Sequence, residues 1–221
     1  GNRIGGYGRN MHFNWCSTAI GVLPTGREPL TGASIRPGDT VIALKSPGYR
    51  SNGFSMVRKV LADQFGASWH KKRFSDKKSW GEAVLTPSLI FAPLIVSLMK
   101  SEAKINGIAH ITGGGMPDNL GRILRQNGLG AVLDQIFPPD DFVLELQARG
   151  KVKEKKAYHL WNMGTGMLLV VPSTSAKAVL ARVRKTAWEA KVAGTIIPKS
   201  EIVIHSKGAF PQVLTYEKTG K

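Results

Sequence analysis

Strand-like and helix-like stretches alternate along the 221 residues, and this alternation predicts a layered α/β or α+β domain. Three observations carry that expectation. A short, continuously apolar run stands at 40–44, as expected of a strand covered on both faces, strand signals return at 108–111, and 167–171 reads as a buried strand. Stretches with apolar residues at spacings of three and four lie between them. Clusters of glycine, proline and asparagine punctuate the joins.

In chain order, residues 1–14 are glycine-rich and without periodicity, and read as a loop. Residues 16–23 predict a short strand, ended by Pro24 and the turn Thr25-Gly26. Arg36-Pro37-Gly38-Asp39 is a turn leading into the strand 40–44. A polar loop at 45–53 precedes a helix from Ser55, with Met56, Val57, Val60, Leu61 and Phe65 on one stripe. Residues 69–80 are charged without an apolar stripe and predict a surface loop. Thr86-Pro87 predicts a helix to about Met99, with Thr86 as cap, Pro87 at the first position and a kink at Pro93. A strand at 108–111, a helix at 117–126, a strand at 131–134 and a helix at 142–149 follow, the last opened by Asp140 and Asp141 and stopped by Gly150. The strand 167–171, the helix 175–185 and strands at 191–197 and 201–205 complete the pattern, and little organisation is expected after Gly208.

Lys and Arg number 31 against 15 Asp and Glu, a net charge of +16 that points to a polyanionic partner. At 42% hydrophobic residues the chain is too apolar for a disordered basic protein. The lone Cys16 excludes an internal disulfide framework and any multi-cysteine metal site. It fits a reducing compartment, and a single cysteine is expected to be a small buried hydrophobe. No run approaches the ~18 apolar residues of a membrane span. The opening at Gly1, glycine-rich and without Met, predicts a processed chain or a piece of a longer one.

Three glycine-bearing loops stand beside strands. Ser51-Asn52-Gly53 lies at a strand-to-helix junction, where free N–H groups and a helix dipole suit an anion, with Arg50, Arg58 and Lys59 adding charge. Thr112-Gly113-Gly114-Gly115 leaves no Cβ to block a ligand at the backbone. Asn162-Met163-Gly164-Thr165-Gly166 leads into the strand at 167. None matches the Walker or dinucleotide pattern. The five histidines show no metal-ligand spacing, and His110 reads first as a satisfied core residue. Asp118, Asp140 and Asp141 are explained as helix-start residues. The lysines at 71–78 and 151–156 lack interleaved aromatics and read as solvated faces.

Together these loops resemble the aminoimidazole ribonucleotide (AIR) synthetase family, phosphoribosylformylglycinamidine cyclo-ligase, over about residues 15–197. Gly38-Asp39 with the following strand, Ser51-Asn52-Gly53-Phe54-Ser55-Met56-Val57-Arg58-Lys59, Leu85-Thr86-Pro87, His110 through Gly115 with Pro117 and Asn119, and Tyr158 with Asn162 through Met167 carry the resemblance. The last run discriminates this family from formylglycinamidine synthetase, selenophosphate synthetase and thiamine-monophosphate kinase. Arg50 stands where the family has His or a similar residue, Phe54 where it has Tyr, and Trp161 where it has Phe.

The resemblance implies a three-layer α/β/α domain with a mixed sheet and partial ferredoxin-like topology. It divides the chain into a remnant of an N-terminal ATP-binding domain (1–30), a C-terminal domain (31–206) and a tail (207–221). It implies ATP-dependent cyclisation of formylglycinamidine ribonucleotide in purine biosynthesis by a cytoplasmic homodimer. ATP and Mg would be bound mainly by the absent N-terminal domain, leaving this piece inactive alone, with no metal site and no catalytic residue of its own identified. Within this chain, Thr112, Gly113, Gly114, Gly115, Ser51, Asn52 and Gly53 are expected to bind the phosphoribosyl substrate, and Asn162, Gly164 and Gly166 to form the cleft wall. Nucleic acid and membrane are not the expected partners. The alternatives are another ATP-using enzyme of the superfamily, or a non-catalytic basic domain binding RNA or a protein assembly.

Overall fold

A computed structural model of the chain describes residues 28–217, together with Cys16, residues 18–23 and Gly26. Seven strands form one mixed sheet in the order β2-β4-β1-β5-β3-β6-β7. They are β1 (Thr40–Lys45), β2 (Gly107–His110), β3 (Gly130–Leu133), β4 (Thr165–Val171), β5 (Ala190–Ile197), β6 (Glu201–His205) and β7 (Val213–Glu217). Only the β3–β6 pair is parallel. Among the described residues seven α-helices accompany them: α1 (Phe54–Phe65), α2 (Trp80–Val84), α3 (Ala92–Met99), α4 (Gly115–Leu124), α5 (Asp141–Arg149), α6 (Glu154–Leu160) and α7 (Ser173–Val183).

The strand pleat explains why β1 and β4 read as unbroken apolar runs. Val41 and Ala43 face one core, shared with α1, α2, α4, α5 and α6, while Ile42 and Leu44 face a second, shared with α3 and α7. All seven residues of β4 are buried for the same reason. Helices therefore cover both faces, giving the three-layer α/β/α arrangement. Strands β1, β2, β4 and β5 lie in the antiparallel order of a ferredoxin-like unit, with α3 and α7 on one face, and α4, β3, α5 and α6 are inserted between β2 and β4.

Several expectations are corrected. Residues 18–23 form no strand, Ile20 and Val22 stand almost fully in solvent, and Cys16 is exposed. The turn at Thr25 and the loop at 1–14 lie outside the described residues. The segment 69–80 holds a short 3-10 turn, and its final residue, Trp80, is buried against Phe65 and Phe74 at the start of α2. Ser79 caps α2 through a reciprocal pair with Glu82. No helix opens at Thr86, whose hydroxyl donates to the Ala83 carbonyl and closes α2 instead. Pro93 then occupies the first turn of α3, where its missing N–H costs nothing, and produces no kink.

Of the residues after Gly208, those described, 209–217, are organised, and a buried carboxylate explains how. Glu154 is buried in α6, inside the lysine run read as a solvated face. It accepts hydrogen bonds from Gly208 N (2.8 Å), Phe210 N (3.2 Å) and Gln147 Nε2 (2.6 Å). Gln147 Oε1 accepts from Ala209 N and the Tyr158 hydroxyl from Lys207 N. This latch sets residues 207–210 so that β7 pairs with β6. The flanking Lys151, Lys153, Lys155 and Lys156 remain exposed. Among the described residues, no helix is long and apolar enough to cross a membrane.

Candidate functional site

The loops after β1 and β2 meet at one end of the sheet, and the entry to β4 lies beneath them. After β1 the chain turns at Gly48, whose N–H donates to Asp140 Oδ2 (2.8 Å), a carboxylate at the start of α5. Asp140 thus serves this loop rather than capping its own helix with its side chain. Tyr49 is fully buried against Phe54, Phe142 and Trp161, and burial, then the Asp140 charge, raises its pKa. Gly53 begins α1 with φ 71°, and a Cβ there would stand 2.4 Å from Trp161 Nε1, so both backbone and space require glycine.

After β2, Ile111 N donates to Gly166 O (3.0 Å) and the chain enters Thr112–Gly115. Asn119, one turn into α4, fastens this loop. Its Nδ2 donates to the carbonyls of Thr112 (3.3 Å), Gly113 (3.2 Å) and Gly115 (2.7 Å), and its Oδ1 accepts from the Thr112 hydroxyl (3.1 Å). With the carbonyls turned to Asn119, the N–H groups of Gly113 and Gly114 have no acceptor among the described residues. Gly115, at φ 61°, passes so close to α6 that a Cβ would lie 1.9 Å from the Tyr158 carbonyl oxygen. Gly113 is different, being exposed, and its missing Cβ would meet only Asn52 Oδ1 at 3.9 Å. That short separation brings the Ser51–Gly53 and Thr112–Gly115 loops together.

Asn162, Gly164 and Gly166 do not share that surface. All three are buried. Ser46 N donates to Gly164 O (3.0 Å), Asn162 Nδ2 to Ser46 O (3.4 Å), and Gly164 and Gly166 lie against Pro138 and Ser46. They form a strut under both loops.

Two side chains complete the surface. Arg50, at φ 56°, contacts His110 Nε2 through its Nη2 (2.5 Å), donates from Nη1 to Ser46 Oγ (3.4 Å), and lies over the Phe91 ring at 5.5 Å. Burial lowers the Arg50 pKa; burial, then the Arg50 charge, lowers that of His110. His110 is exposed, contrary to the expected core histidine, and points from the end of β2 toward the Arg50 loop. Arg50 and His110 each stand directly beside a glycine loop in sequence, a signal that was present. Asp140 and Trp161 act from 92 residues away or across the core, where no local pattern marks them.

Chemically the arrangement offers backbone donors, one guanidinium and a neutral imidazole around an open surface, which suits binding an anion rather than nucleophilic or metal chemistry. Among the described residues no three His, Cys, Asp or Glu side chains gather as a metal site.

Comparison with known proteins accords with this architecture. Residues 36–207 match the C-terminal domain family of AIR synthase related proteins. A phosphoribosylformylglycinamidine cyclo-ligase of Pseudothermotoga lettingae is 37% identical over 198 residues, covering 89% of this chain and 57% of that protein. One of Synechococcus sp. (strain CC9902) is 35% identical over 168 residues, covering 76% and 48%. The chain thus spans about half the length of the curated relatives it matches. Among solved structures, E. coli HypE superposes with a TM-score of 0.55 at 13% identity, covering 83% of this chain and 51% of that one. HypE in its complex with HypF gives 0.54 at 20%, covering 83% and 53%. These likenesses are of fold. The chain belongs to the AIR synthase related family, as its C-terminal domain.

Proposed function

We propose that this chain supplies the substrate-facing part of an ATP-dependent cyclo-ligase that converts formylglycinamidine ribonucleotide to aminoimidazole ribonucleotide in purine biosynthesis. In that reaction ATP phosphorylates the formyl oxygen, and the amidine nitrogen attacks the same carbon and expels phosphate. The contribution of this domain is to bind the 5′-phosphate and hold the amidine arm toward the nucleotide. The observation supporting the reading is the junction of the Ser51–Gly53 and Thr112–Gly115 loops, with free Gly113 and Gly114 N–H groups at the start of α4. The names of the relatives support this substrate class.

Among the described residues no three His, Cys, Asp or Glu side chains gather to hold magnesium. The reading leaves Mg and most ATP contacts to the family's N-terminal domain, and makes the working enzyme a cytoplasmic homodimer. Residues 1–30 are then the end of that domain and 207–221 a tail, held to the C-terminal domain through Lys207–Phe210.

Titration of ribose 5-phosphate into the 15N-labelled chain tests the site. Amide shifts should concentrate at Ser51, Asn52 and Thr112–Gly115; shifts confined elsewhere would sink the assignment. The exposed cations Lys71, Lys72, Arg73, Lys77 and Lys78 favour a second reading, an RNA-binding surface. It predicts RNA affinity falling steeply on a log–log salt plot, with no response to ribose 5-phosphate.

A further inference from the structure

We propose that Arg50 is the cation of an anion subsite that recognises a phosphoryl dianion, with His110 as the positioning residue that aims its guanidinium. The inference deepens the reading above and rests on it for the location of the site. What carries it is a charge that the protein leaves uncompensated. Four cations sit on carboxylates, Lys45 on Glu189, Lys59 on Asp63, Arg149 on Glu145 and Lys199 on Glu201, and others, such as Lys71, Lys72, Lys77 and Lys78, stand exposed in water. Arg50 is half-buried, yet its partners are an imidazole nitrogen, a serine hydroxyl and the Phe91 ring, all neutral. No carboxylate among the described residues lies within ion-pair distance of it. A guanidinium has five donors and a permanent charge, and taking it partly out of water without an anion is unfavourable.

The backbone agrees. Arg50 adopts φ 56°, a left-handed conformation that non-glycine residues rarely hold unless the surroundings impose it. That turn carries the side chain across to β2 instead of outward along α1, where Lys59 goes. His110 then meets it, and for Nε2 to accept from Nη2 the ring must be neutral with its proton on Nδ1. The next residues of the same segment are Ile111 and the Thr112–Gly115 loop, whose Gly113 and Gly114 N–H groups have no acceptor among the described residues. Arg50 contacts the strand end that leads into this loop, and a planar fork together with free backbone donors suits tetrahedral phosphate oxygens. The phosphoryl group has two possible sources, the sugar phosphate of a ribonucleotide or the terminal phosphate of ATP.

The test is calorimetry and 31P NMR on the 221-residue chain, with ribose 5-phosphate in one arm and the imido analogue of ATP in the other. Arg50→Asn is the informative variant, because Asn tolerates a left-handed backbone and the fold is retained. It should weaken whichever ligand seats its phosphate here by about tenfold or more, and Arg50→Lys should recover only part, lacking the fork. His110→Ala should weaken binding several-fold, and His110→Gln, whose amide oxygen still accepts, should restore most of it. The second ionisation of the bound phosphate should shift downward in the wild-type chain and return toward its free value in Arg50→Asn, a change that loss of structure alone does not produce. Dependence on Arg50 in either arm supports the proposal and identifies the source. Wild-type affinity in Arg50→Asn, with binding lost in Gly113→Val, overturns the role of Arg50 and leaves the loop site standing. Failure of the wild-type chain to bind either ligand at millimolar concentration, or indifference of both variants, overturns the subsite and the loop site together.

Discussion

Glu154 and Arg50 are both charged groups drawn out of water, and the protein treats them in opposite ways. Around Glu154 three donors converge, two of them backbone N–H groups of the 207–210 segment, so the carboxylate is satisfied within the fold. Around Arg50 there are only neutral acceptors, and free N–H groups nearby add to the positive field. A satisfied buried charge fixes structure; an unsatisfied one at a loop junction is available to a ligand. The distinction separates the latch from the site although both are built from helix starts and glycine loops.

Breaking the latch should have the largest effect on stability. Glu154→Ala strands the Gly208, Phe210 and Gln147 donors in the core and should cost about 3–5 kcal/mol, since each unpaired buried donor costs ~1–3 kcal/mol. For a domain of this size that is a fall in Tm of roughly 10 °C. Thermal unfolding of the variant checks it, and hydrogen exchange should show β7 opening first. An unchanged Tm would mean that the segment holds without its carboxylate.

Asn119→Ala addresses the other side of the comparison, the fastening of the open loop. It removes one acceptor and two donors that serve four groups of Thr112–Gly115. About 1–3 kcal/mol of stability should be lost. Ribose 5-phosphate affinity should fall further than stability does, because carbonyls released from Asn119 can rotate toward the ligand. Equal, small losses in both measurements would demote the residue to ordinary packing.

How far these features can be read from sequence depends on the range of the forces that make them. Strands β1 and β4 are legible because burial on both faces leaves a continuous apolar run. The glycine loops are legible because Gly53 and Gly115 answer local backbone and space requirements. Helix α6 hides because its buried face is small and carries Glu154 among lysines, so no apolar stripe appears. Strand β7 hides because its order comes from a latch 54 residues upstream. Thr86 looks like a cap, yet Pro87 to Ile90 have no burial to sustain a helix and remain exposed. Of the site, the two phosphate-type loops are visible as strings. Their junction is not, since Arg50 meets His110 across 60 residues and Gly48 meets Asp140 across 92.

Gly113→Ala sharpens the contrast between glycines kept for packing and one kept for access. Its Cβ would be 3.9 Å from Asn52 Oδ1, an ordinary contact, and Gly113 lacks the positive φ of Gly114 and Gly115. Stability should stay within about 1 kcal/mol of wild type, with a slight gain possible from the restricted unfolded chain. Ligand affinity should drop several-fold if an anion lies against the N–H. Full retention of ribose 5-phosphate binding would place the phosphate elsewhere.

The smallest effect belongs to His110, and its sign follows from the same uncompensated charge. Burial, then Arg50, lowers its pKa below the ordinary 6.5, so the folded chain prefers the neutral ring that Arg50 needs as an acceptor. Between the folded pKa and 6.5 the unfolded chain binds more protons than the folded one. The contribution of His110 to stability is therefore fully present above that window and is lost as pH falls through it. Wild-type Tm should decline between about pH 7 and pH 5 slightly more than that of His110→Gln, which has no proton to take up. In Arg50→Asn the imidazole should titrate closer to its ordinary value, as read from its ring proton shifts. A titration of His110 that ignores the removal of Arg50 would show that the two side chains touch without coupling, and that another group aims the guanidinium.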